Sequence, residues 1–404
     1  MSVVTQQTGG DEIAIRPFRV NVPEADLVDM KKRIDATRFP EKETVADFSQ
    51  GVPLATIKKL AQYWATRYDW RKVEARLNAL PSFITEIDGL DIHFIHVRSK
   101  HPNALPIIVT HGWPGSIVEL LKIIDPLVNP TVHGGAATDA FDVVVPSLPG
   151  YGFSGKPTAV GWDPPHIARA WDKLMKRLGY ATYVAQGGDW GAVITELLGA
   201  QAPNGLLGIH TNMPNVVSPA IDAAAFSGAP APAGLSVSEK AAYERLRAVY
   251  AKGIGYAFQM GLRPQTLYGI ADSPVGLAGY FLDHDARSLE LIARVFDGGT
   301  EGLTRDDVLD NVTLTWLTST FVSGARLYWE NKLKSFFAVR GVRVPVAVSA
   351  FPDELFPTPR SWAEQAYPKL VFFKQHDKGG HFAAWEQPKL LTEDIRAGFR
   401  SLRK

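Results

Sequence analysis

The sequence predicts an α/β protein with a mostly parallel sheet, a helical cap inserted between strands, and a helical extension on the N-terminal side. Short runs that are apolar throughout, such as PIIVT at 106–110 and FDVVVP at 141–146, alternate with amphipathic helical patterns. This alternation is typical of a buried parallel sheet with helical crossovers. It stops near Met213 and resumes after Phe337, which indicates that a helical segment is inserted there.

The segments follow in a definite order along the chain. Apolar residues at helical spacing, such as Leu27 and Met30, predict helices in the N-terminal part. The period changes to two at FITEI, and the turn DG at 88–89 followed by LDIHFIHV predicts a hairpin with which the sheet begins. We therefore divide the chain into an N-terminal wrapping extension (1–82), a first core part (83–212), a helical cap (213–337) and a second core part (338–404).

Composition narrows the classes of function. The 404 residues include 43 Lys and Arg against 42 Asp and Glu, a net charge of +1, and no cysteine. Such a balance creates no field that would attract nucleic acid or an anionic membrane surface, and the lack of cysteine excludes disulfides and thiolate metal sites. The start has no secretory pattern, and no run approaches the roughly 18 apolar residues of a membrane span. We expect a soluble cytoplasmic protein with a small substrate, no nucleic-acid partner and no membrane anchor.

The strongest chemical motif is GGDWG at 187–191, between the strand pattern TYVAQ and a helical pattern. Glycines at 187 and 191 around Asp189 match a nucleophile elbow, the tight strand-to-helix turn of hydrolases, with aspartate in place of serine. Two other interpretations stay open at this point. The segment could be a plain turn, or the end of a dinucleotide-binding G-x-G-x-x-G motif, although Gln186 stands where that motif needs its first glycine.

A second motif, HGWPGS at 111–116, also follows a strand pattern. A loop at the carboxyl end of a buried strand can aim backbone N–H groups at a developing oxyanion. We expect the N–H groups of Trp113 and Trp190 to form such an oxyanion hole. His111 could act as a base, but we favour a role in shaping the loop, and the bond from Trp113 to Pro114 is a candidate cis peptide.

The third motif is KQHDKGGHFAAWEQP, in which His381 follows a strand pattern and two glycines and precedes the last helix. The chain order nucleophile, acid, histidine makes His381 the candidate base. The acid should follow the strand pattern VPVAVSA, where both Asp353 and Glu354 are available. We expect no metal site, since His93 and His96 lie three apart in a strand and face opposite sides.

Together these motifs resemble those of the microsomal-type epoxide hydrolases, a family that includes juvenile-hormone, fungal and bacterial epoxide hydrolases. The resemblance implies the α/β-hydrolase fold, and it extends over nearly the whole chain. The motifs that carry it are HGWPGS at 111–116, PSLPGYGFS at 146–154, GGDWG at 187–191, DSPVGLAGY at 272–280, RLYWEN at 326–331, SAFPDELF at 349–356 and GGHFAAWEQP at 379–388. Mammalian members carry an N-terminal membrane anchor, which we do not expect in this chain.

Carried over to this sequence, the resemblance implies Asp189 as nucleophile, His381 as base and Glu354 as the acid that orients it. It also implies two cap tyrosines, Tyr256 and Tyr328, as donors to the epoxide oxygen. These two could not have been chosen from twelve tyrosines by sequence pattern alone. An aspartate nucleophile forms an ester with a saturated carbon, and water can then attack that ester's carbonyl.

The implied activity converts a small apolar epoxide to a vicinal diol without cofactor or metal, as in detoxification or aromatic hydrocarbon catabolism. Because the reaction needs neutral imidazole and protonated phenols, we expect a bell-shaped pH profile. Two alternatives remain: a haloalkane dehalogenase, which also uses an aspartate nucleophile, and a non-catalytic hydrolase-like ligand-binding protein. A homodimer is left open, and the sequence ranks neither substrates nor enantiomers.

Overall fold

A computed structural model describes residues 14–403 of the chain. Within these residues a single mixed sheet has nine strands in the order β1-β2-β3-β5-β4-β6-β7-β8-β9. Their bounds are β1 (Arg16–Pro17), β2 (Ser82–Ile87), β3 (Leu90–Val97), β4 (Leu105–Thr110), β5 (Phe141–Pro146), β6 (Tyr183–Gly187), β7 (Leu206–Thr211), β8 (Val346–Ala350) and β9 (Leu370–Gln375).

The six strands from β5 to β9 in this order run parallel, and β1, β2 and β3 pair antiparallel at one edge. The predicted α/β fold with a mostly parallel sheet is thus confirmed. The expectation that the sheet begins at Phe83 was wrong, because Arg16 and Pro17 already pair with Ile84 and Phe83. A strand of two residues is too short to show a period in the sequence.

Helices flank the sheet and form the cap. In the N-terminal segment and the first core part they are α1 (Glu24–Asp35), α2 (Leu54–Thr66), α3 (Trp70–Asn78), α4 (Leu121–Val128), α5 (Pro164–Arg177) and α6 (Trp190–Gln201). Between β7 and β8 follow α7 (Pro219–Phe226), α8 (Val237–Ala248), α9 (Gly255–Leu262), α10 (Tyr268–Ala271), α11 (Pro274–Leu282), α12 (Ala286–Phe296), α13 (Arg305–Thr318) and α14 (Phe321–Glu330). The last three are α15 (Arg360–Ala366), α16 (Ala383–Glu386) and α17 (Pro388–Phe399).

Two sets of hydrogen bonds attach the cap helices to the core. Asn311 of α13 donates its amide N–H to the carbonyl of Pro114 at 2.6 Å. Ser323 of α14 donates to the carbonyl of Gly150 at 2.6 Å, and Tyr151 donates to the carbonyl of Gly324 at 3.0 Å. Because these groups are buried, the bonds hold α13 and α14 over the carboxyl ends of the parallel strands.

The N-terminal helices pack on the cap. Helices α1 and α2 contact α11, and α3 contacts α13. Tyr63 of α2 donates a hydrogen bond to Asp306 at 2.8 Å, and Arg76 of α3 pairs with the buried carboxylate of Asp310. The extension therefore braces the cap from outside. The exact domain boundaries stay a prediction, and residues 1–13, with which the extension was expected to begin, lie outside the described part. Between residues 14 and 403, no helix has both the length and the apolar character needed to cross a membrane.

Candidate active site

The motif GGDWG forms a sharp turn between β6 and α6. Asp189 adopts φ 51° and ψ −127°, a conformation that few non-glycine residues accept. A Cβ on Gly187 would lie 2.1 Å from the carbonyl oxygen of Gly191, and one on Gly191 would lie 2.0 Å from that of Thr110. Both positions therefore require glycine, and the strained turn projects the Asp189 side chain from the end of β6.

The Asp189 carboxylate is buried, with 7% of the residue exposed, and each of its oxygens has a nitrogen neighbour. Its Oδ1 accepts a hydrogen bond of 2.7 Å from the backbone N–H of Trp113, and its Oδ2 lies 3.4 Å from Nε2 of His381. Burial acts to raise the pKa of Asp189, but His381, the charge of His284 and the Trp113 N–H outweigh it and lower the pKa. The carboxylate is therefore ionised at neutral pH.

His381 lies between two carboxylates. Its Nδ1 is 2.6 Å from Oε1 of Glu354, which also accepts the N–H of Leu355 at 2.8 Å. Burial acts to lower the pKa of His381, but the charges of Glu354 and Asp189 raise it well above its usual value. Asp353, the alternative acid in the sequence, has a half-exposed side chain that points to Arg287 at 3.7 Å. The structure thus brings Glu354, not Asp353, to the histidine.

The two cap tyrosines face the site from α9 and α14. Their rings lie 6.1 Å apart, edge to face, and Trp113 packs against both, with centroids 4.7 Å from Tyr256 and 5.8 Å from Tyr328. Burial is the main cause that raises the pKa of both phenols well above 10, and the Asp189 charge is among the neighbouring groups that raise it further. The phenols therefore stay protonated, and any alkaline limb of activity due to them lies above the range usual for tyrosine.

The remaining predicted residues lie in the same region. Trp190 is the first residue of α6, directly after the nucleophile candidate, and its ring packs 4.8 Å from that of Tyr328. The bond between Trp113 and Pro114 is cis, as the sequence allowed. His111 does not reach the site as a base: its Nδ1 contacts the carbonyl of Gly112 and its Nε2 accepts the N–H of Leu148. Burial lowers the pKa of His111 to about 4, which agrees with a structural role.

Sequence reasoning missed a second histidine in the site. His284 is 1% exposed, its ring centroid lies 4.4 Å from that of His381, and its Nδ1 is 2.9 Å from the Asp285 carboxylate. A signal existed in LDHDARS, where a histidine stands between two aspartates and Asp285 caps α12 by accepting the N–H of Ser288. The same pattern occurs where a surface helix begins. Only the packing of the cap on the core therefore shows that His284 contacts His381.

Comparisons with known proteins agree with this geometry. A model described as epoxide hydrolase N terminus matches residues 15–120, and one described as alpha/beta hydrolase fold matches residues 106–251. A putative epoxide hydrolase of Stigmatella aurantiaca is 49% identical over 96% of this chain and 86% of that protein. Epoxide hydrolase 1 of Oryctolagus cuniculus is 34% identical over 97% of this chain and 90% of that protein. The chain belongs to the epoxide hydrolase family.

Solved structures of epoxide hydrolases have the same fold as this chain. The Aspergillus niger epoxide hydrolase superposes with a TM-score of 0.81 at 32% identity, with 97% of both chains covered. The juvenile hormone epoxide hydrolase of Bombyx mori superposes with a TM-score of 0.82 at 29% identity, covering 96% of this chain and 95% of that one. The α/β-hydrolase fold and the family resemblance predicted from the motifs are therefore confirmed.

Proposed function

We propose that this chain hydrolyses a small apolar epoxide to a vicinal diol through an ester of Asp189. The observation that carries the proposal is the line of three side chains in which His381 approaches Asp189 at 3.4 Å and Glu354 at 2.6 Å. This arrangement of nucleophile, histidine and acid supports two-step covalent catalysis. The membership in the epoxide hydrolase family supports the choice of an epoxide as substrate.

In the first step, one oxygen of the Asp189 carboxylate attacks a ring carbon of the epoxide. A carbon–oxygen bond forms, the carbon–oxygen bond of the strained ring breaks, and the ring oxygen leaves as an alkoxide. Tyr256 and Tyr328 donate hydrogen bonds to that oxygen, and one of them supplies its proton. Because the pKa of both phenols is raised, they stay protonated until a strongly basic alkoxide forms.

In the second step, His381 removes a proton from water, and the resulting hydroxide attacks the ester carbonyl. The tetrahedral oxyanion is stabilised by the backbone N–H groups of Trp113 and Trp190. When it collapses, the diol oxygen leaves and takes the second proton of the water from the hydroxyl of the intermediate. The phenolate is reprotonated with the proton held by His381, and the Asp189 carboxylate is restored with one oxygen from water. Glu354 keeps the His381 proton on Nδ1, so that Nε2 faces the water.

The high pKa of His381 in the resting state agrees with this sequence of steps. Two carboxylates, Glu354 and Asp189, raise it. Once Asp189 is esterified it carries no charge, so one of these two influences is lost and the pKa of His381 falls. The histidine therefore becomes a base when the ester forms. We also propose that the chain is divided into an N-terminal extension, a core in two parts and a helical cap, with the bounds predicted from the sequence.

The aromatic rings around the nucleophile favour an apolar substrate. Trp113 also contacts the rings of Tyr280 and Phe281, at 5.9 and 5.5 Å, and Phe382 lies 4.9 Å from His381. Aromatic walls bury apolar substrate surface well. Aryl or alkyl epoxides of the kind formed in detoxification or aromatic hydrocarbon catabolism fit this lining.

A single turnover in water enriched in heavy oxygen tests the proposal. With enzyme in excess over a styrene-type epoxide, we expect the label in the Asp189 carboxylate, located by mass spectrometry of the peptide, and not in the diol. Label that enters the diol directly in the first turnover would contradict an ester intermediate. We expect Asp189→Ala to lose at least about 10⁴-fold in diol formation. The matched control is Asp353→Ala, which removes a neighbouring half-exposed carboxylate and should keep wild-type labelling.

A further inference from the structure

A second histidine–carboxylate pair faces the nucleophile from the cap. The Nδ1 of His284 lies 2.9 Å from Oδ2 of Asp285, whose other oxygen accepts the N–H of Ser288 at 2.8 Å. Asp285 is therefore fixed at the start of α12 and holds the His284 ring in one orientation. His381 is held in the same way by Glu354. Each of the two imidazoles in this site thus has its Nδ1 beside a carboxylate and its Nε2 on the side that faces the nucleophile.

Both Nε2 atoms point toward Asp189. The Nε2 of His284 lies 4.0 Å from Asp189 Oδ2, and that of His381 lies 3.4 Å from the same oxygen. Neither Nε2 forms a hydrogen bond of standard geometry within residues 14–403, and each side chain is 1% exposed. A buried polar atom normally has a partner. The water of the proposed second step accounts for His381 Nε2, whereas no step of that function uses His284 Nε2, which therefore indicates a further ligand.

Each of the three groups can present a lone pair to a cation at their centre. In a neutral imidazole whose Nδ1 faces a carboxylate, the proton stays on Nδ1 and Nε2 carries a lone pair. At His381, whose pKa is raised well above its usual value, the ion has to displace the proton from Nε2. The Asp189 carboxylate only accepts hydrogen bonds. Within the described chain, these three side chains are also the group whose ligand atoms lie within 4.8 Å of one another. Carboxylates bonded to the outer nitrogen of each histidine are the usual second layer of a metal site.

The two distances from the histidines to Asp189 are close to those between neighbouring ligands of a tetrahedral ion. Zinc binds imidazole nitrogen at about 2.0–2.1 Å and carboxylate oxygen at about 2.0–2.2 Å, which places neighbouring ligand atoms roughly 3.3–3.5 Å apart. The distance from His381 to Asp189 is 3.4 Å, and that from His284 is 4.0 Å. A shift of about half an ångström in the His284 ring would close the second distance.

We propose that Asp189, His284 and His381 bind one Zn²⁺, or a similar borderline divalent ion, that inhibits the enzyme. Two imidazoles and one carboxylate select such ions over Mg²⁺ and Ca²⁺, which prefer oxygen ligands. The ion occupies the lone pairs with which Asp189 would attack the epoxide and His381 would accept a proton. The proposal concerns binding and goes beyond the proposed function, whose chemistry requires no ion.

Calorimetry and cobalt absorption test the site on the full chain after dialysis against a chelator. We expect one Zn²⁺ per chain in the wild type, and an intense visible band with Co²⁺, as tetrahedral cobalt gives. His284→Ala should abolish both signals. Asp285→Asn keeps all three ligands but loses the outer carboxylate, and should weaken binding about 10–100-fold. The matched control is His133→Asn, because His133 also pairs with a carboxylate, that of Asp125 at 2.5 Å, but faces solvent. This variant should bind zinc as the wild type does.

Two results would overturn the proposal: wild-type zinc affinity in a folded His284→Ala variant, or no stoichiometric binding by the wild type. If His284→Ala does not fold, Asp285→Asn decides alone, because that variant retains the His284 ring. Wild-type zinc affinity in Asp285→Asn would then overturn the proposal. Diol formation by the wild type is measured in parallel, and zinc should suppress it reversibly. Binding without any epoxide turnover would contradict the proposed function and leave the metal site supported, so the two failures are distinguishable.

Discussion

Asp189 is charged in surroundings where burial opposes charge. Three neighbours compensate for the lost water: the His381 ring, the Trp113 N–H and the more distant His284. Two of these neighbours are also the groups that the proposed second step uses. The residues that stabilise the resting carboxylate are therefore those that later act on its ester, and the site needs little rearrangement between steps.

The opposite pKa shifts of Asp189 and His381 predict a pH-dependent intermediate. The lowered pKa keeps Asp189 ionised in mild acid, so ester formation continues there. Hydrolysis needs neutral His381, and Glu354 still raises its pKa after esterification. We expect the esterified fraction at steady state to rise as the pH falls from 8 to 5. Intact-protein mass spectrometry after acid quenching measures it, and a fraction that stays constant or falls would contradict the assignment of the base.

The tyrosine pair predicts a loss confined to ester formation. Tyr328→Phe and Tyr256→Phe should each slow that step by roughly 10²-fold or more, the usual cost of one donor to a developing oxyanion. Rapid quenching in a single turnover measures the rate. Tyr280→Phe is the matched control, because its ring also contacts Trp113 but its hydroxyl donates to the backbone of Tyr256 at 3.3 Å. Equal losses in all three variants would indicate a packing effect.

Single residues differ in how far sequence can identify them. Asp189 and His381 stand in glycine-rich turns whose conformation restricts the residues allowed, so local pattern was enough to single them out. Glu354 and Asp353 are neighbours, and only the three-dimensional path of the loop decides which one faces His381. His284 has no pattern that separates it from a surface histidine, since its contacts come from distant parts of the chain.

At the scale of elements, the elbow depends on close backbone packing between β4 and α6. Gly191→Ala would bring a Cβ to 2.0 Å from the carbonyl oxygen of Thr110, which cannot move without shifting β4. We expect a loss of at least about 2 kcal/mol in the free energy of unfolding, measured with urea, together with reduced activity.

The control for this variant is Gly279→Ala in α11, where an added Cβ meets no atom within 4 Å. Since alanine favours helix more than glycine does, this change should be neutral or should stabilise by up to about 1 kcal/mol. If both variants lost the same free energy of unfolding, the loss would reflect a general sensitivity of this protein to Gly→Ala substitution and not the packing of the elbow.

The elements themselves follow from the sequence to different degrees. The continuous apolar runs predicted the parallel strands because a strand covered by helices on both faces has no polar side. The two-residue β1 could not be predicted, since its pairing with β2 is a contact between distant segments. The arrangement of the eight cap helices between β7 and β8 was also beyond the pattern, because amphipathic periods do not say which helix faces which partner.

At the scale of the whole molecule, the N-terminal extension connects to the cap through polar contacts as well as packing. Arg76, with a half-exposed side chain, pairs with Asp310, which is 2% exposed. Arg76→Ala would leave that carboxylate buried without its partner. We expect a loss of roughly 1–2 kcal/mol in the free energy of unfolding, less than for a fully buried pair because solvent reaches the arginine.

The matched control is Arg294→Ala, from a pair with Glu301 in which both side chains are more than half exposed. This substitution should lower the free energy of unfolding by less than about 1 kcal/mol. Chemical unfolding of both variants measures the difference. An Arg76→Ala variant as stable as the Arg294→Ala variant would show that the pair with Asp310 does not help to brace the cap.

The two tyrosines stand on helices inserted between β7 and β8, whereas the aspartate, its histidine and its acid all stand on loops of the sheet. This separation has an evolutionary consequence. If the proposed mechanism holds, recombination or drift within the inserted helices can alter which molecules are accepted and how their oxygen is protonated, while ester cleavage is inherited unchanged. Chimeras that graft these helices from a relative should therefore exchange selectivity as a module.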